Sequence, residues 1–329
     1  MSSLPAVVAA GDVQDPSALP LSEAFRDALE AARGFALSEK SDATRKAYAS
    51  DWQRFRVWCA AQSTDVLPAS VATTAAYLAH LAGQRKKVST IDRAAAAIAY
   101  GHRLAGFVPP THAEPVKAVL RGIRRRTGVR VERKAPATAR AIHSMLKRID
   151  TTTLRGKRDR ALLLVGFAAA LRRSELVNLT LSDIERTDGG IFLHIRRSKT
   201  DQDGQGHAIP IPRGSKLRVI EALDDWLQTA AIHDGPVFRP IRKGGRLQVQ
   251  PLTDHSVALI VKRHARAAKL DPDLFSGHSL RAGFVTSALE AGSDVLRVMA
   301  VTRHTSVQTL KGYDRRAKAF QNHAGGKFL

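Results

Sequence analysis

The sequence predicts a mainly α-helical protein with two domains, the second of which also contains a small antiparallel sheet. Apolar residues recur at the helical spacings of three and four along most of the 329-residue chain. Only between Ser182 and Ile211 do they alternate at the spacing of two that is typical of strands. A basic stretch, residues 121–134, marks a change in composition between two halves that are each long enough for a domain.

The composition indicates a globular protein with a polyanionic partner. Hydrophobic residues make up 44% of the chain, which favours a packed core over disorder, and the formal net charge is +22. Nucleic acid is the usual partner of so basic a protein. A protein of membrane surfaces would need an amphipathic basic helix or a lipidation signal, and the sequence shows neither.

Two further observations exclude other classes of protein. Cys59 is the only cysteine, so the sequence has no disulfide framework and no thiolate metal cluster. The longest apolar run, residues 161–171, is shorter than the about 20 residues that a membrane-spanning helix needs. We therefore expect a soluble, cytoplasmic protein.

The first half is predicted to be a flexible arm, residues 1–20, followed by a helical domain, residues 21–122. Its strongest helix is expected to begin at the cap formed by Ser41 and Asp42 and to end near Ala61. One apolar stripe supports this helix: Tyr48, Trp52, Phe55 and Cys59. Further helices are predicted at residues 68–82, 89–105 and 114–128.

Two groups of basic residues in this half are candidates for contact with phosphates. One lies in the loop between two predicted helices, and the other belongs to the charge run before Pro136. A charge run is usually a solvated face, but this one coincides with the change in composition. We interpret residues 123–136 as a basic interdomain linker that lies against DNA. The candidate DNA-binding residues are Arg85, Lys86, Lys87, Arg121, Arg124, Arg125, Arg126 and Arg130.

The second half, residues 137–329, is predicted to consist of helices around one small sheet. Strands are expected at residues 182–186, 191–197 and 207–211, and glycines mark the tip of the hairpin that follows Lys199. Helices are expected at residues 138–149, 157–170, 215–230 and 253–269. The helix at residues 157–170 is apolar nearly all round, which indicates that it is buried.

Charged and polar residues at two places in this half suggest a phosphate site. His278 and Arg281 are three residues apart, so on a helix they share one face and offer an imidazole and a guanidinium fork to one anion. Arg172 follows the buried helix, where an unpaired charge would be costly, and Glu175 is expected to orient it. A purely structural salt bridge between these two residues is the alternative.

The end of the chain adds a tyrosine to this set. Tyr313 lies nine residues beyond His304, and on one straight helix the two side chains would point in opposite directions. A break between them is therefore predicted, and Thr305 with Gln308 forms a pattern that can cap a new helix.

Six residues in this order resemble the catalytic set of the tyrosine site-specific recombinases, the lambda-integrase family: Arg172, Lys199, His278, Arg281, His304 and Tyr313. Residues 171–176 match the first arginine box of the family, and residues 278–281 match its His-x-x-Arg box. The resemblance spans residues 21–313 and is closest to the simpler Cre and Xer types. Ala170 and Arg303 depart from it, since many relatives have Gly at these positions; Arg303 is expected to add a phosphate contact.

The resemblance implies a two-domain DNA strand transferase with a helical core-binding domain and a mixed α/β catalytic domain. Tyr313 would attack a backbone phosphorus, form a phosphotyrosine and release a 5′-hydroxyl. Arg172 and Arg281 would hold the nonbridging oxygens, His278 and His304 would donate hydrogen bonds or move the tyrosine proton, and Lys199 would be the general acid.

The expected partner is double-stranded DNA with paired inverted-repeat sites, bound by a homotetramer close to the nucleoid. Neither a cofactor, nor a metal ion, nor ATP is expected, since two arginines can supply the charge and the covalent bond stores the phosphodiester energy. Two alternatives stay open. One is a type IB topoisomerase-like enzyme that nicks and reseals a single duplex, and the other is a DNA-binding protein that does not use the tyrosine.

Overall fold

The computed structural model describes residues 22–128, 134–196, 206–214, 216–304, 306–308 and 310. Several predictions concern residues outside this part of the chain, namely the arm at residues 1–20, Arg130, Lys199 with the tip of its hairpin, Thr305, Tyr313 and the C-terminal tail. The chain divides into two compact units, Met1–Val131 and Glu132–Leu329.

The described residues of the first unit form a set of α-helices. They are α1 (Glu23–Ser38), α2 (Asp42–Ala61), α3 (Val71–Gly83), α4 (Val88–Leu104) and α5 (Glu114–Thr127). The predicted cap of α2 is confirmed, because the Ser41 hydroxyl accepts a hydrogen bond from the backbone N–H of Thr44 at 3.4 Å. The predicted helix at residues 68–82 begins later than expected, since Ser70 caps α3.

The core of this unit forms where α2 packs against α4. Three residues of the apolar stripe on α2 are completely or almost completely buried: Trp52, Phe55 and Cys59. Gly101 on α4 permits the close approach, because a Cβ at this position would lie 2.7 Å from the Trp52 ring. The aromatic residues of α2 are thus part of the core, and Cys59 is a packing residue.

Helix α5 agrees with the predicted helix at residues 114–128 and overlaps the first residues of the predicted linker. Residues 123–127, which the sequence analysis assigns to the linker, are helical, because Val116 and Ile123 are buried and hold the helix on the core. The helix ends where Gly128 adopts a φ of 73°, and the N–H of this residue donates to the carbonyl of Arg124. Arg124, Arg125 and Arg126 therefore lie on a helix.

The second unit combines helices with one sheet. Its helices are α6 (Ala139–Leu146), α7 (Leu154–Ala168), α8 (Arg173–Asn178), α9 (Val219–Thr229), α10 (Asp254–Ala267), α11 (Ser279–Glu290) and α12 (Val295–Thr302). Its strands are β1 (Ile184–Thr187), β2 (Gly190–Ile195) and β3 (His207–Pro212). The strands pair antiparallel in the order β1-β2-β3. The predicted fold class is confirmed.

Helix α7 is the central element of this unit. It packs against α9 and α11, and its apolar residues 161–165 are completely buried. The sheet contributes one apolar face to the same core, where Ile191 lies opposite Ile211 and Leu193 lies opposite Ile209. The prediction that the helix at residues 157–170 is buried is confirmed.

The end of α7 differs from the prediction. The helix stops at Ala168, and Ala170 adopts a positive φ of 48°. The N–H of Leu171 then donates back to the carbonyl of Gly166 at 3.1 Å, which closes the turn as in a Schellman motif. Arg172 therefore lies at the start of α8, one turn away from the end of the buried helix.

Among the described residues, no helix combines the length and the apolar content that crossing a membrane requires.

Candidate active site

Arg172 lies at the N-terminus of α8, where Glu175 holds it at two points. Its Nη1 donates to Glu175 Oε1 at 2.7 Å, and its backbone N–H donates to Oε2 at 2.7 Å. The Glu175 side chain is 3% exposed, whereas that of Arg172 is 20% exposed. Burial raises the pKa of Glu175, but Arg303 and Arg172 outweigh it, so the pKa is lowered overall and the carboxylate stays charged.

Arg281 connects three segments of the second unit. It lies on α11 and is only 2% exposed. Its Nη1 donates to the carbonyl of Ala170 at 2.9 Å, and its Nη2 donates to the carbonyl of Thr302. The first carbonyl belongs to the turn before α8 and the second to the end of α12. Arg281 therefore fixes the positions of Arg172 and His304 relative to each other.

His278 immediately precedes α11 and is exposed, and its backbone N–H donates to the Ser276 hydroxyl at 3.2 Å. Desolvation lowers the pKa of its ring, and the positive charges of Arg281, Arg172 and Arg173 lower it further. The ring is thus close to both candidate arginines, as the predicted site requires.

His304 follows α12 and is half-buried. Its Nδ1 lies 2.7 Å from the hydroxyl oxygen of Thr302. Desolvation lowers the pKa of His304 to about 4, with further contributions from the positive charges of Arg281, Arg172, His278 and Arg303. The imidazole is therefore uncharged at neutral pH.

Four of the six predicted catalytic residues thus form one cluster: Arg172, His278, Arg281 and His304. The other two, Lys199 and Tyr313, lie outside the described residues. The cluster presents two fixed guanidinium groups next to two weakly basic imidazoles. Guanidinium groups held in this way suit a phosphate group, and imidazoles can exchange protons with it or with an attacking group.

Arg303 is part of this cluster in a way that the sequence analysis did not foresee. It is 7% exposed, and its Nη2 donates to Glu175 Oε2 at 2.8 Å, so it contacts the carboxylate and not the open side of the site. Its Nε and Nη1 are buried and have no hydrogen-bond partner among the described residues. Desolvation lowers the pKa of Arg303, Glu175 opposes this shift, and Arg172 adds to it.

The sequence contains one signal for the backbone turns at Ala170 and Arg303, namely that both residues depart from the glycine of the family pattern. Ala170 and Arg303 have φ values of 48° and 55°, a conformation that glycine adopts without strain and that other residues rarely adopt. The positions thus retain the backbone conformation that explains glycine in relatives. Thr302, which the sequence analysis also missed, carries no comparable signal.

The candidate DNA-binding residues that the structure describes all lie in the first unit and are exposed. Arg124 on α5 donates to Asp92 on α4 at 2.7 Å, which brings α5 close to the loop of residues 84–87 that leads into α4. Arg121 pairs with Glu114 on its own helix. Within the described residues, Arg125 and Arg126 form no ion pair. Exposed pairs contribute about 0–1 kcal/mol, so they leave Arg121 and Arg124 able to exchange partners.

The comparisons with known proteins identify the chain as a DNA strand-transfer enzyme of the tyrosine recombinase class. The family described as the phage integrase family matches residues 137–319. An integrase/recombinase XerD homolog of Selenomonas ruminantium is 40% identical over 290 residues, which cover 87% of this chain and 85% of the relative. The Cre recombinase of Escherichia phage P1 is 25% identical over 295 residues, 84% of each chain.

A solved structure shows the same fold. Lambda integrase, residues 75–356, as a dimer bound to a COC′ core site, superposes with a TM-score of 0.60 at 18% identity, covering 89% of this chain and 95% of that one. The chain belongs to the phage integrase family.

Proposed function

We propose that this tyrosine recombinase performs site-specific recombination on double-stranded DNA. It cleaves and rejoins strands through a 3′-phosphotyrosine intermediate, and it forms and resolves a Holliday junction. The observation that carries this proposal is the position of Arg281, which is buried and bonded to the turn before Arg172 and to the carbonyl of Thr302, two residues before His304. One buried guanidinium thus assembles the groups that a phosphoryl-transfer site needs.

Each candidate residue receives a role that its chemistry supports. The Tyr313 oxygen attacks the scissile phosphorus, the P–O5′ bond breaks, and Lys199 gives its proton to the leaving 5′-oxygen. Arg172 and Arg281 hold the nonbridging oxygens while negative charge develops on them. His278 and His304 are the nearby groups that donate hydrogen bonds to the phosphate or take up the phenol proton of Tyr313. Glu175 is the supporting residue that positions Arg172.

The reaction is proposed to need neither a metal ion nor ATP. The two arginine side chains neutralise the phosphate, and the phosphotyrosine bond conserves the energy of the phosphodiester until religation. The support for this proposal is the arrangement of Arg172 and Arg281, which are already fixed before DNA binds. We expect strand cleavage to proceed at an unchanged rate in the presence of a chelator.

Membership of the family supports a proposal for the domains, the DNA partner and the assembly. Residues 21–122 are proposed as the core-binding domain, residues 123–136 as the basic linker and residues 137–329 as the catalytic domain with its tail, preceded by an arm. Arg130 is included with the seven described basic residues as a phosphate contact. The substrate is proposed to carry paired inverted repeats, to be bound by a homotetramer and to be reached in the cytoplasm at the nucleoid.

A covalent-trapping experiment tests the proposal. DNA with a nick near the cleavage position loses a short fragment after cleavage, so the protein stays attached and migrates as a covalent band on a denaturing gel. Tyr313→Phe is expected to abolish this band and to leave DNA affinity nearly unchanged. A persistent band in the variant would refute the assignment of the nucleophile.

The same experiment separates the alternatives. A protein that only occupies its site gives no covalent band with the wild-type chain. A type IB topoisomerase-like enzyme gives the band and relaxes supercoiled plasmid, but it exchanges no strands between two marked sites. Exchange of the marked strands supports recombination.

A further inference from the structure

A buried carboxylate joins α2 to α4 in the first unit. The Asp51 side chain on α2 is 2% exposed, and Arg93 on α4 donates to it twice, from Nε to Oδ2 at 2.6 Å and from Nη2 to Oδ1 at 3.2 Å. Arg54, one turn further along α2, donates to Oδ1 at 3.0 Å. One buried carboxylate thus holds two guanidinium groups, and the candidate DNA-binding residues of the sequence analysis include neither of them.

The two hydrogen bonds to Asp51 fix the direction of the Arg93 side chain. A guanidinium has five N–H groups in one plane, and Asp51 occupies the edge formed by Nε and Nη2. Another edge, formed by Nη1 and the second N–H of Nη2, makes no hydrogen bond to any residue that the structure describes. Because the Arg93 side chain is 44% exposed, this edge offers two parallel donors to a partner outside the chain.

Small side chains surround the arginines on the surfaces of both helices. On α4, Ser89 and Ala96 lie one turn before and one turn after Arg93, and both are at least partly exposed. On α2, the exposed Ser50 lies one turn before Arg54. Arg93 therefore projects beyond its neighbours, and the backbone of α4 can approach a partner closely. The major groove of B-DNA, about 12 Å wide, admits a helix of this kind.

Basic residues next to this surface can supply phosphate contacts. The loop of residues 84–87 leads directly into α4, and Arg124 on α5 is paired with Asp92, the neighbour of Arg93. Contacts to phosphates position a protein on DNA, whereas the sequence is recognised by groups that reach the edges of the bases. A side chain whose direction is fixed suits this second task.

The carboxylate next to Arg93 favours a base over a phosphate as the partner. Asp51 neutralises part of the positive charge, which weakens the attraction to a phosphate, but it preserves the direction of the N–H groups. In the major groove, guanine presents two acceptors side by side, N7 and O6, which match two parallel donors. Adenine presents one acceptor and one donor, thymine presents one acceptor beside a methyl group, and cytosine presents a donor.

We propose that Arg93 is a specificity-determining residue that recognises a guanine in the major groove of the recombination site, and that Asp51 is the residue that positions it. The inference rests on the proposed function and names one determinant of its DNA target. Because Arg93 is ordered before DNA binds, less conformational entropy is lost on contact. A good bidentate pair discriminates against another base by about 5–150-fold, and this is the contribution that we assign to Arg93.

Selection of sites from a library of randomised DNA duplexes tests the inference with the full-length protein. The wild-type protein should select a guanine at one position of each half-site, and Arg93→Ala should accept every base pair there while it keeps its other preferences. Arg93→Lys keeps the charge without the fork and should lose the same preference. Arg54→Ala, the matched control, removes a charge from the same carboxylate and should retain the guanine. Unchanged preferences in Arg93→Ala, or loss of the guanine in Arg54→Ala, would overturn the proposal.

A modified base provides a second measurement. In a duplex that the wild-type protein selects, 7-deazaguanine at this position removes the acceptor N7 and leaves the Watson–Crick pair intact. The wild-type protein should bind this duplex about 5-fold or more weakly, whereas Arg93→Ala should bind both duplexes equally well. If Arg93 contacts a phosphate instead, Arg93→Ala loses affinity equally for all sequences, and the slope of log affinity against log salt falls by about 0.9. That result would overturn the proposal.

Asp51→Asn tests the positioning role. The amide keeps the shape of the side chain but replaces one acceptor by a donor, so Arg93 can no longer be held at two points. The preference for the guanine should become weaker in this variant. A folded variant with the wild-type preference would refute the positioning role, because a purely structural ion pair changes the melting temperature and not the base preference. If the variant is not folded, the Arg93 variants decide the question.

The outcomes separate this inference from the proposed function, because site selection requires no cleavage. If the wild-type protein exchanges strands but Arg93→Ala selects the same sites, the inference fails and the proposed function stands. If the wild-type protein forms no phosphotyrosine but Arg93→Ala loses the guanine, the proposed function fails and the assignment of Arg93 stands.

Discussion

The substitution Arg303→Gly separates two effects that are usually inseparable, backbone strain and charge. Arg303 has a φ of 55° at the end of α12, and its side chain is buried against Glu175. Removing one partner of a buried ion pair normally destabilises a protein, because the other charge is left buried and unpaired. We expect this change to leave the catalytic domain nearly as stable as before and to slow DNA cleavage.

The magnitude follows from terms that oppose each other. Glycine removes the strain of the left-handed conformation, about 1–2 kcal/mol. It also removes Nε and Nη1 of Arg303, two buried donors that have no partner in the described part of the chain, each of which costs about 1–3 kcal/mol. The lost bond to Glu175 and the space left behind cost about 2–5 kcal/mol. Glu175 keeps both bonds from Arg172, and at the unfavourable ends of these ranges the free energy of unfolding should fall by at most about 2 kcal/mol.

The effect on cleavage has a different cause. At present Glu175 is shared between Arg172 and Arg303. Without Arg303 the carboxylate acts on Arg172 alone, so the positive charge that Arg172 offers to the phosphate is more fully neutralised. We expect about a 10-fold loss in the cleavage rate, less than the 10²–10³-fold that follows the loss of a group in direct contact.

Denaturant unfolding and single-turnover cleavage of nicked DNA measure the two effects. Arg218→Gly is the matched control, since Arg218 has a φ of 50° in the same unit and an exposed side chain. It should gain stability and cleave at the wild-type rate. Arg303→Lys keeps the charge and should retain more cleavage than Arg303→Gly. Wild-type cleavage by Arg303→Gly would refute the role of Arg303, and a loss of much more than 2 kcal/mol of stability would refute the balance of terms.

Three further predictions concern other groups. Lys199→Ala should slow cleavage by about 10²–10⁴-fold. A substrate with sulfur in place of the bridging 5′-oxygen should restore the cleavage rate, because a thiolate leaves without a proton. If sulfur does not restore the rate, the general acid is another group. Replacing Arg124, Arg125 and Arg126 with Ala should reduce the slope of log affinity against log salt by about 0.9 for each true phosphate contact, and an unchanged slope would place them on a solvated face. The free energy of unfolding should fall as the pH is lowered from 6.5 to 4, because His304 has a pKa of about 4 in the folded protein and takes up a proton more readily in the unfolded chain. His304→Gln should make this fall smaller.

Local patterns of the sequence were sufficient to predict most helices and the sheet. The stripe of Trp52, Phe55 and Cys59 predicted α2, and its start at Ser41 was evident from the cap. The end of α7 could not be predicted in the same way. The apolar pattern continues through Leu171, so nothing in the periodicity shows that Ala170 adopts a positive φ and ends the helix.

The site was predictable where neighbouring residues determine it and not where distant residues meet. The spacing of Arg172 and Glu175 predicted their contact, which the structure shows at 2.7 Å. The contact between Arg303 and Glu175 joins residues 128 positions apart, and no local pattern reports such a pair. For this reason the sequence suggested a phosphate contact for Arg303, whereas its side chain is buried below the site.

The two strained turns have a common consequence for the chemistry. Ala170 has a positive φ, and its carbonyl accepts a hydrogen bond from Nη1 of Arg281. Arg303 also has a positive φ, and it directly follows Thr302, whose carbonyl accepts a hydrogen bond from Nη2 of Arg281. Each turn therefore directs a backbone dipole at the same buried guanidinium. Strain of this kind persists only where surrounding contacts determine the conformation. Here it holds Arg281 in place before the substrate binds, so that the charge developing on the phosphate meets a group that does not have to move.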